Sequence, residues 1–82
     1  MHYVYLLTNR INQTIYIGST NNLKRRIQDH NKGLIFSTKR YLPWKLIYYE
    51  AYSDEALARR REKRLKYHGN SIRELKKRAG IT

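Results

Sequence analysis

Cysteine is absent from the 82 residues, so disulfides, thiolate nucleophiles and cysteine-type zinc sites are excluded at the outset. His2, His30 and His68 show neither HxxxH nor HExxH spacing, so a zinc site does not fit, and any metal must be held by oxygen or by these imidazoles. No run reaches the apolar length of a membrane span, and Tyr3 to Leu7 is too short for the apolar centre of a signal peptide; the expected location is cytoplasmic. Internal repeats, low-complexity tracts and linkers are also missing. Acidic residues are few, six Asp and Glu against eighteen Lys and Arg, which leaves a formal charge of +12. That imbalance costs stability by self-repulsion unless a polyanion offsets it, so nucleic acid is the expected partner; with no apolar run of spanning length, no membrane partner is expected. A solvated basic face or a ribosome-associated protein would carry the same bulk charge. A chain this short buries one modest core, which predicts a single domain over residues 1–82.

What is present reads as strand, turn, strand, helix, loop, strand, helix, helix. Tyr3 to Thr8 is rich in β-favouring residues and apolar on both alternating faces, which predicts a strand covered on both sides. Asn9 to Gln13 supplies a turn, and Thr14 to Gly18 a second strand in an antiparallel hairpin. Thr20, Asn21 and Asn22 are N-cap candidates for a helix from Asn22 to Lys32, with Leu23, Ile27 and His30 on one face and Gly33 as its stop. Gly33 to Pro43 lacks a period and reads as a loop, with room for a short helical turn. Lys45 to Tyr52 is the third strand. Ser53 is expected to cap a long helix ending near Tyr67 or His68, and its first turn carries Asp54 and Glu55. After Gly69, Ser71 to Glu74 forms a capping box for a last helix with Ile72, Leu75 and Ala79 on one face and Gly80 as its stop.

Six positions are singled out for chemistry. Tyr5 and Tyr16 lie on paired strands, where side chains on one sheet face approach closely enough for their hydroxyls to converge; ordinary sheet packing is the alternative, and the preferred reading for Tyr48, Tyr49 and Tyr52. Gly18 marks either a close backbone approach to a ligand or the end of a strand. Arg26 falls on the Leu23–Ile27–His30 side of its helix, where a guanidinium can hold a phosphate with two parallel hydrogen bonds. Four residues on, His30 shares that face and can carry a proton or serve the fold. Glu62 is the single acid in Ala56 to Lys66, and its spacing from Ala58 and Leu65 puts it on the apolar stripe. A carboxylate there either pairs with a neighbouring arginine or binds a hard cation such as Mg²⁺ together with substrate phosphate.

These residues resemble the GIY-YIG nuclease family. Tyr3-Val4-Tyr5 is similar to its first triplet, with Tyr in place of Gly and Val in place of Ile, and Tyr16-Ile17-Gly18 matches the second. Arg26, His30 and Glu62 fall at the family's arginine, His/Tyr and glutamate positions, and Arg25 to Asn31, Ser37 to Glu50 and Glu55 to Lys66 resemble segments of stand-alone bacterial proteins similar to the excinuclease C nuclease domain. Ser19 stands where that repair domain carries a lysine. The resemblance implies an α+β fold with a small three-stranded antiparallel sheet flanked by helices. It implies a metal-dependent endonuclease that hydrolyses DNA one strand at a time using Mg²⁺ or Mn²⁺ on Glu62, with Arg26 neutralising charge on the phosphorus. Tyr5 is then the candidate general base or water-positioner, His30 the rival base, and Tyr16 and Gly18 shape the site. Arg25, Lys39, Arg40, Arg60 and Lys63 are the expected phosphate contacts. A basic module that grips nucleic acid without cutting, and a nuclease for RNA or branched DNA targeted by a partner protein, are the alternatives.

Overall fold

A computed structural model of the chain describes residues 1–9, 14–67, 73, 77 and 80. Three strands, β1 (His2–Asn9), β2 (Ile15–Thr20) and β3 (Trp44–Tyr52), form an antiparallel sheet in the order β2-β1-β3. Among the described residues two helices, α1 (Leu23–Asn31) and α2 (Glu55–Tyr67), join the sheet in an α+β fold, with a 3-10 turn at Lys39–Tyr41 inside the segment expected to be a loop; Arg73 and Lys77 are also helical.

The doubly apolar pattern of β1 suits its central place: Val4, Tyr5, Leu6 and Leu7 have no exposed surface. Its side chains divide the interior in two. Val4 and Leu6 pack with Ala58 and Leu65 of α2 and with Ile15, Ile17 and Ile47. Tyr5 and Leu7 pack on the opposite face with Trp44, Tyr16, Leu46 and the α1 residues Leu23 and Ile27. Burying such side chains contributes roughly 1.5–3 kcal/mol each.

Capping fixes where the helices begin. Among the three candidates for α1, Asn22 is the cap, its side-chain oxygen accepting the Arg25 N–H at 3.2 Å. Gly33, just beyond the helix, takes φ +76°, the left-handed conformation that glycine adopts without strain. For α2 the expected Ser53 cap is corrected to Asp54, whose carboxylate accepts the Ala56 N–H at 2.7 Å while Glu55 opens the first turn. The turn residues 10–13, His68 and Gly69, and the capping box and apolar face expected for a last helix lie outside the described residues; Gly80 has φ +71°.

β2 runs two residues past the expected end at Gly18, and Thr20 pairs with Tyr3. That extension places Gly18 on one face of the edge strand and Ser19 on the other.

Candidate active site

The first half of the site lies between the sheet and α1. Asn31, at the end of α1, donates from Nδ2 to the Trp44 carbonyl at 3.0 Å and accepts the Trp44 N–H at 2.7 Å, which fixes the helix end to the start of β3. Trp44 Nε1 donates to the Thr38 carbonyl at 2.8 Å, so the segment after α1 is held against the same core. His30 is thereby enclosed, with no exposed surface. Its Nδ1 lies 2.7 Å from Thr38 Oγ1 and its Nε2 lies 2.9 Å from the Tyr5 hydroxyl. Thr38 Oγ1 donates to the Ile35 carbonyl at 3.5 Å, which leaves it accepting from His30. The consistent assignment puts the ring proton on Nδ1 and makes Nε2 the acceptor of the Tyr5 O–H.

Burial, with Arg26 nearby, pulls His30 down to about 4, so the imidazole is neutral at ordinary pH. Burial likewise pushes the Tyr5 phenol up to about 12, although contact with Arg26 acts in the other direction. Tyr5 and Tyr16 share a sheet face, as expected, but they are diagonal neighbours with ring centroids 6.3 Å apart; the residue directly opposite Tyr5 is Gly18. A Cβ on Gly18 would collide with the hydroxyl and ring of Tyr5, so the glycine is where the phenol passes over the backbone of β2. Tyr16 is only partly buried and sets its ring 4.9 Å from that of His30.

Arg26 emerges from the half-buried side of α1 and reaches the Tyr5 hydroxyl, a contact that holds the guanidinium firmly protonated. Its Nε is buried without a hydrogen-bond partner, and no carboxylate forms an ion pair with it among the described residues. With Thr20, Asn21, Asn22, Arg25 and Asp29 it lines a groove of about 300 Å³.

The second half lies across the sheet. Glu62 sits on the inner side of α2 between the buried Ala58 and Leu65, as its spacing predicted, and the cation that pairs with it is a lysine, where the pairing alternative had named an arginine. Ser19 Oγ donates to Glu62 Oε1 at 2.7 Å, and Lys66 Nζ meets Oε2 at 2.8 Å. The pair lines a groove of about 820 Å³ with Arg59, Arg60 and Lys63. The Glu62 contact holds the Lys66 ammonium above its ordinary value.

Of the other expected phosphate contacts, Arg25 is exposed in the Arg26 groove, while Lys39 and Arg40 are exposed on the 3-10 turn, Lys39 4.9 Å over the Phe36 ring. Sequence reasoning missed Thr38, Ser19, Lys66 and a cluster around Glu50, which accepts from Tyr48, Tyr52 and both ends of the Arg61 fork at 2.7–3.2 Å. Burial pushes the Glu50 carboxyl up, yet these donors outweigh it and hold it below its ordinary value. The spacing of Tyr48, Glu50 and Tyr52 on alternate strand positions was the available signal.

A small antiparallel sheet with helices on both faces, carrying a buried Tyr–His pair, a half-buried arginine and a carboxylate on α2, defines an α+β fold. The chain belongs to the GIY-YIG family: the model of the GIY-YIG catalytic domain matches residues 1–78. It is 40% identical over 63 residues to a UPF0213 protein of Clostridium perfringens, covering 76% of this chain and 67% of that one. A UPF0213 protein of Staphylococcus haemolyticus is 40% identical over 67 residues, 79% of each chain. The solution structure of a UPF0213 protein from Bacillus halodurans superposes with a TM-score of 0.61 at 27% identity, covering 96% of this chain and 86% of that one.

Members of the family are generally dependent on a divalent metal. Among the described residues no group of three or more His, Asp or Glu side chains gathers to hold one. Glu62 fits the alternative arrangement for Mg²⁺, in which one carboxylate is supplemented by water and substrate phosphate oxygens. Ser19 orients one of its oxygens, and the groove beside it is basic enough to admit phosphate. No described helix is long and apolar enough to cross a membrane.

Proposed function

We propose that this protein is a metal-dependent endonuclease that hydrolyses phosphodiester bonds of DNA one strand at a time, with residues 1–82 acting as a single nuclease domain. The observation that carries this reading is Arg26: a guanidinium sunk against Tyr5, lining a groove, and without a carboxylate partner among the described residues. A cation so placed has its charge available for a phosphate, and its planar fork suits two phosphate oxygens.

Glu62 would hold the Mg²⁺ or Mn²⁺ ion. Bound there, the ion would supply positive charge that offsets the negative charge building on the phosphate. The chain's own groups do the rest. Arg26 neutralises charge that builds on the phosphate in the transition state, a role worth orders of magnitude in rate when the donor is preorganised. Its preorganisation comes from Tyr5, whose oxygen it contacts while the O–H is donated to His30. Full burial and a phenol near 12 make Tyr5 poorly suited to accept a proton from water, so Tyr5 and His30 act as a buried pair that positions Arg26. Tyr16 would orient the attacking water, a role supported by its partial exposure beside His30. Arg25, Arg60 and Lys63, together with Lys39 and Arg40, hold the flanking phosphates.

The test is an incubation of end-labelled single-stranded, duplex and flap DNA with Mg²⁺, Mn²⁺ or EDTA. Cleavage that requires the metal and slows by about a hundredfold or more in Arg26→Ala is the expected result. DNA that is bound but uncut under every condition would leave a binding module in place of an enzyme.

A further inference from the structure

We propose that Lys66 occupies Glu62 in place of the metal ion, so that the substrate-free protein holds a neutralised carboxylate and a divalent cation must displace this ammonium to enter. The inference rests on the reading of Glu62 as the metal ligand. Both carboxylate oxygens are engaged, but unequally. Ser19 reaches Oε1 from the edge strand, 43 residues away in sequence, and a hydroxyl that donates to one oxygen leaves the charge on the carboxylate. Lys66 is one helical turn beyond Glu62 and covers Oε2 at 2.8 Å with a full positive charge. Its side chain is 40% exposed and that of Glu62 19%, so the ammonium is the more solvent-facing partner of a pair that lines the groove.

Such a contact is strong enough to compete and weak enough to yield. A partly exposed ion pair four residues apart on a helix makes a small net contribution, and the lysine stem is flexible, so releasing it disturbs no packed core. Until a phosphate backbone arrives, the carboxylate would otherwise stand alone among Arg59, Arg60, Lys63 and Lys66, and Lys66 is the one that fits against it. Once displaced, the ammonium remains in the groove with these cations, where a substrate phosphate can take it up. Metal and nucleic acid therefore favour each other's binding, because each takes one partner of the same pair.

The test is titration of the full chain with Mn²⁺ in the absence of nucleic acid, following free Mn²⁺ by electron paramagnetic resonance. Lys66→Gln should bind Mn²⁺ about fivefold more tightly than the unmodified protein, the upper range for a partly exposed pair. Lys63→Gln removes an equal charge from the same groove without touching Glu62, and should change affinity by less than about twofold. Lys66→Arg restores a cation able to reach the carboxylate and should return affinity to the unmodified value. The proposal is overturned if Lys66→Gln binds no tighter than Lys63→Gln, or if Lys66→Arg binds as tightly as Lys66→Gln. Glu62→Gln separates the two levels: unchanged Mn²⁺ affinity in that variant removes Glu62 as the ligand, whereas its loss with no gain in Lys66→Gln removes only the placeholder. Circular dichroism of each variant checks that the fold is retained.

Discussion

Tyr5 donates its hydroxyl to His30 Nε2 across 2.9 Å, and neither side chain reaches solvent. Tyr5→Phe keeps the ring but leaves a buried imidazole nitrogen without its donor, which should cost about 1–3 kcal/mol of stability. Arg26 loses its contact in the same variant, so the cleavage rate should fall as well. Urea unfolding measured beside the rate distinguishes the pair's structural and functional contributions. No change in either would show that the hydrogen bond is idle.

The same enclosure fixes the response of His30 to acid. Its folded value is near 4 and its unfolded value near 6.5, so the unfolded chain takes up the proton first and stability is lost as pH falls between these values. Glu50 works in a lower window: its folded carboxyl is depressed, so its stabilisation is complete above the ordinary carboxylate value and disappears as pH falls through the folded one. Proton resonances of the His30 ring should therefore stay unchanged from pH 8 to about 5.5, and urea midpoints should already decline from about pH 6. A ring that titrates near its ordinary value would contradict the buried geometry.

Gly18 tests how tightly the phenol is seated. Gly18→Ala places a methyl group against the buried Tyr5 ring, which already packs beside His30 and Tyr16. Overpacking of this kind should cost about 1–3 kcal/mol, and Tyr5→Leu in the same chain should recover part of it. Urea unfolding of the two single variants and the double variant gives the coupling.

Much of this architecture was legible because it is local. The Leu23–Ile27–His30 spacing marks the inner face of α1, and all three residues lie there. The position of Glu62 between Ala58 and Leu65 placed it on the inner side of α2 in the same way. What could not be read are pairings set by the tertiary fold. Ser19 meets Glu62 only because β2 extends past Gly18 and α2 packs across that edge. Thr38, in a stretch without a period, becomes a partner of His30 only because Trp44 ties its carbonyl down. Ser53 and Asp54 are both good caps, and which one acts depends on backbone geometry at the end of β3. The six positions singled out in the sequence are divided by the sheet, five on the α1 face and Glu62 on the other, a partition that strand alternation carries only once the register is known.

Beyond the groove, Glu50 fastens α2 to β3 through the Arg61 fork, with side chains 17% and 25% exposed. Arg61→Met should lower stability by about 1–3 kcal/mol, less than a fully buried pair because water screens part of the charge. Urea unfolding checks the value. A loss under about 0.5 kcal/mol would mean that Tyr48 and Tyr52 satisfy Glu50 without the arginine.

The most direct measurement is the rate at which Glu62→Gln cuts end-labelled DNA in Mg²⁺, with binding followed in parallel. The amide keeps the shape of the side chain and removes the anionic oxygen, so binding should persist while metal-dependent cleavage disappears. Cleavage by Glu62→Gln at the unmodified rate would contradict the assignment of Glu62 as the metal ligand.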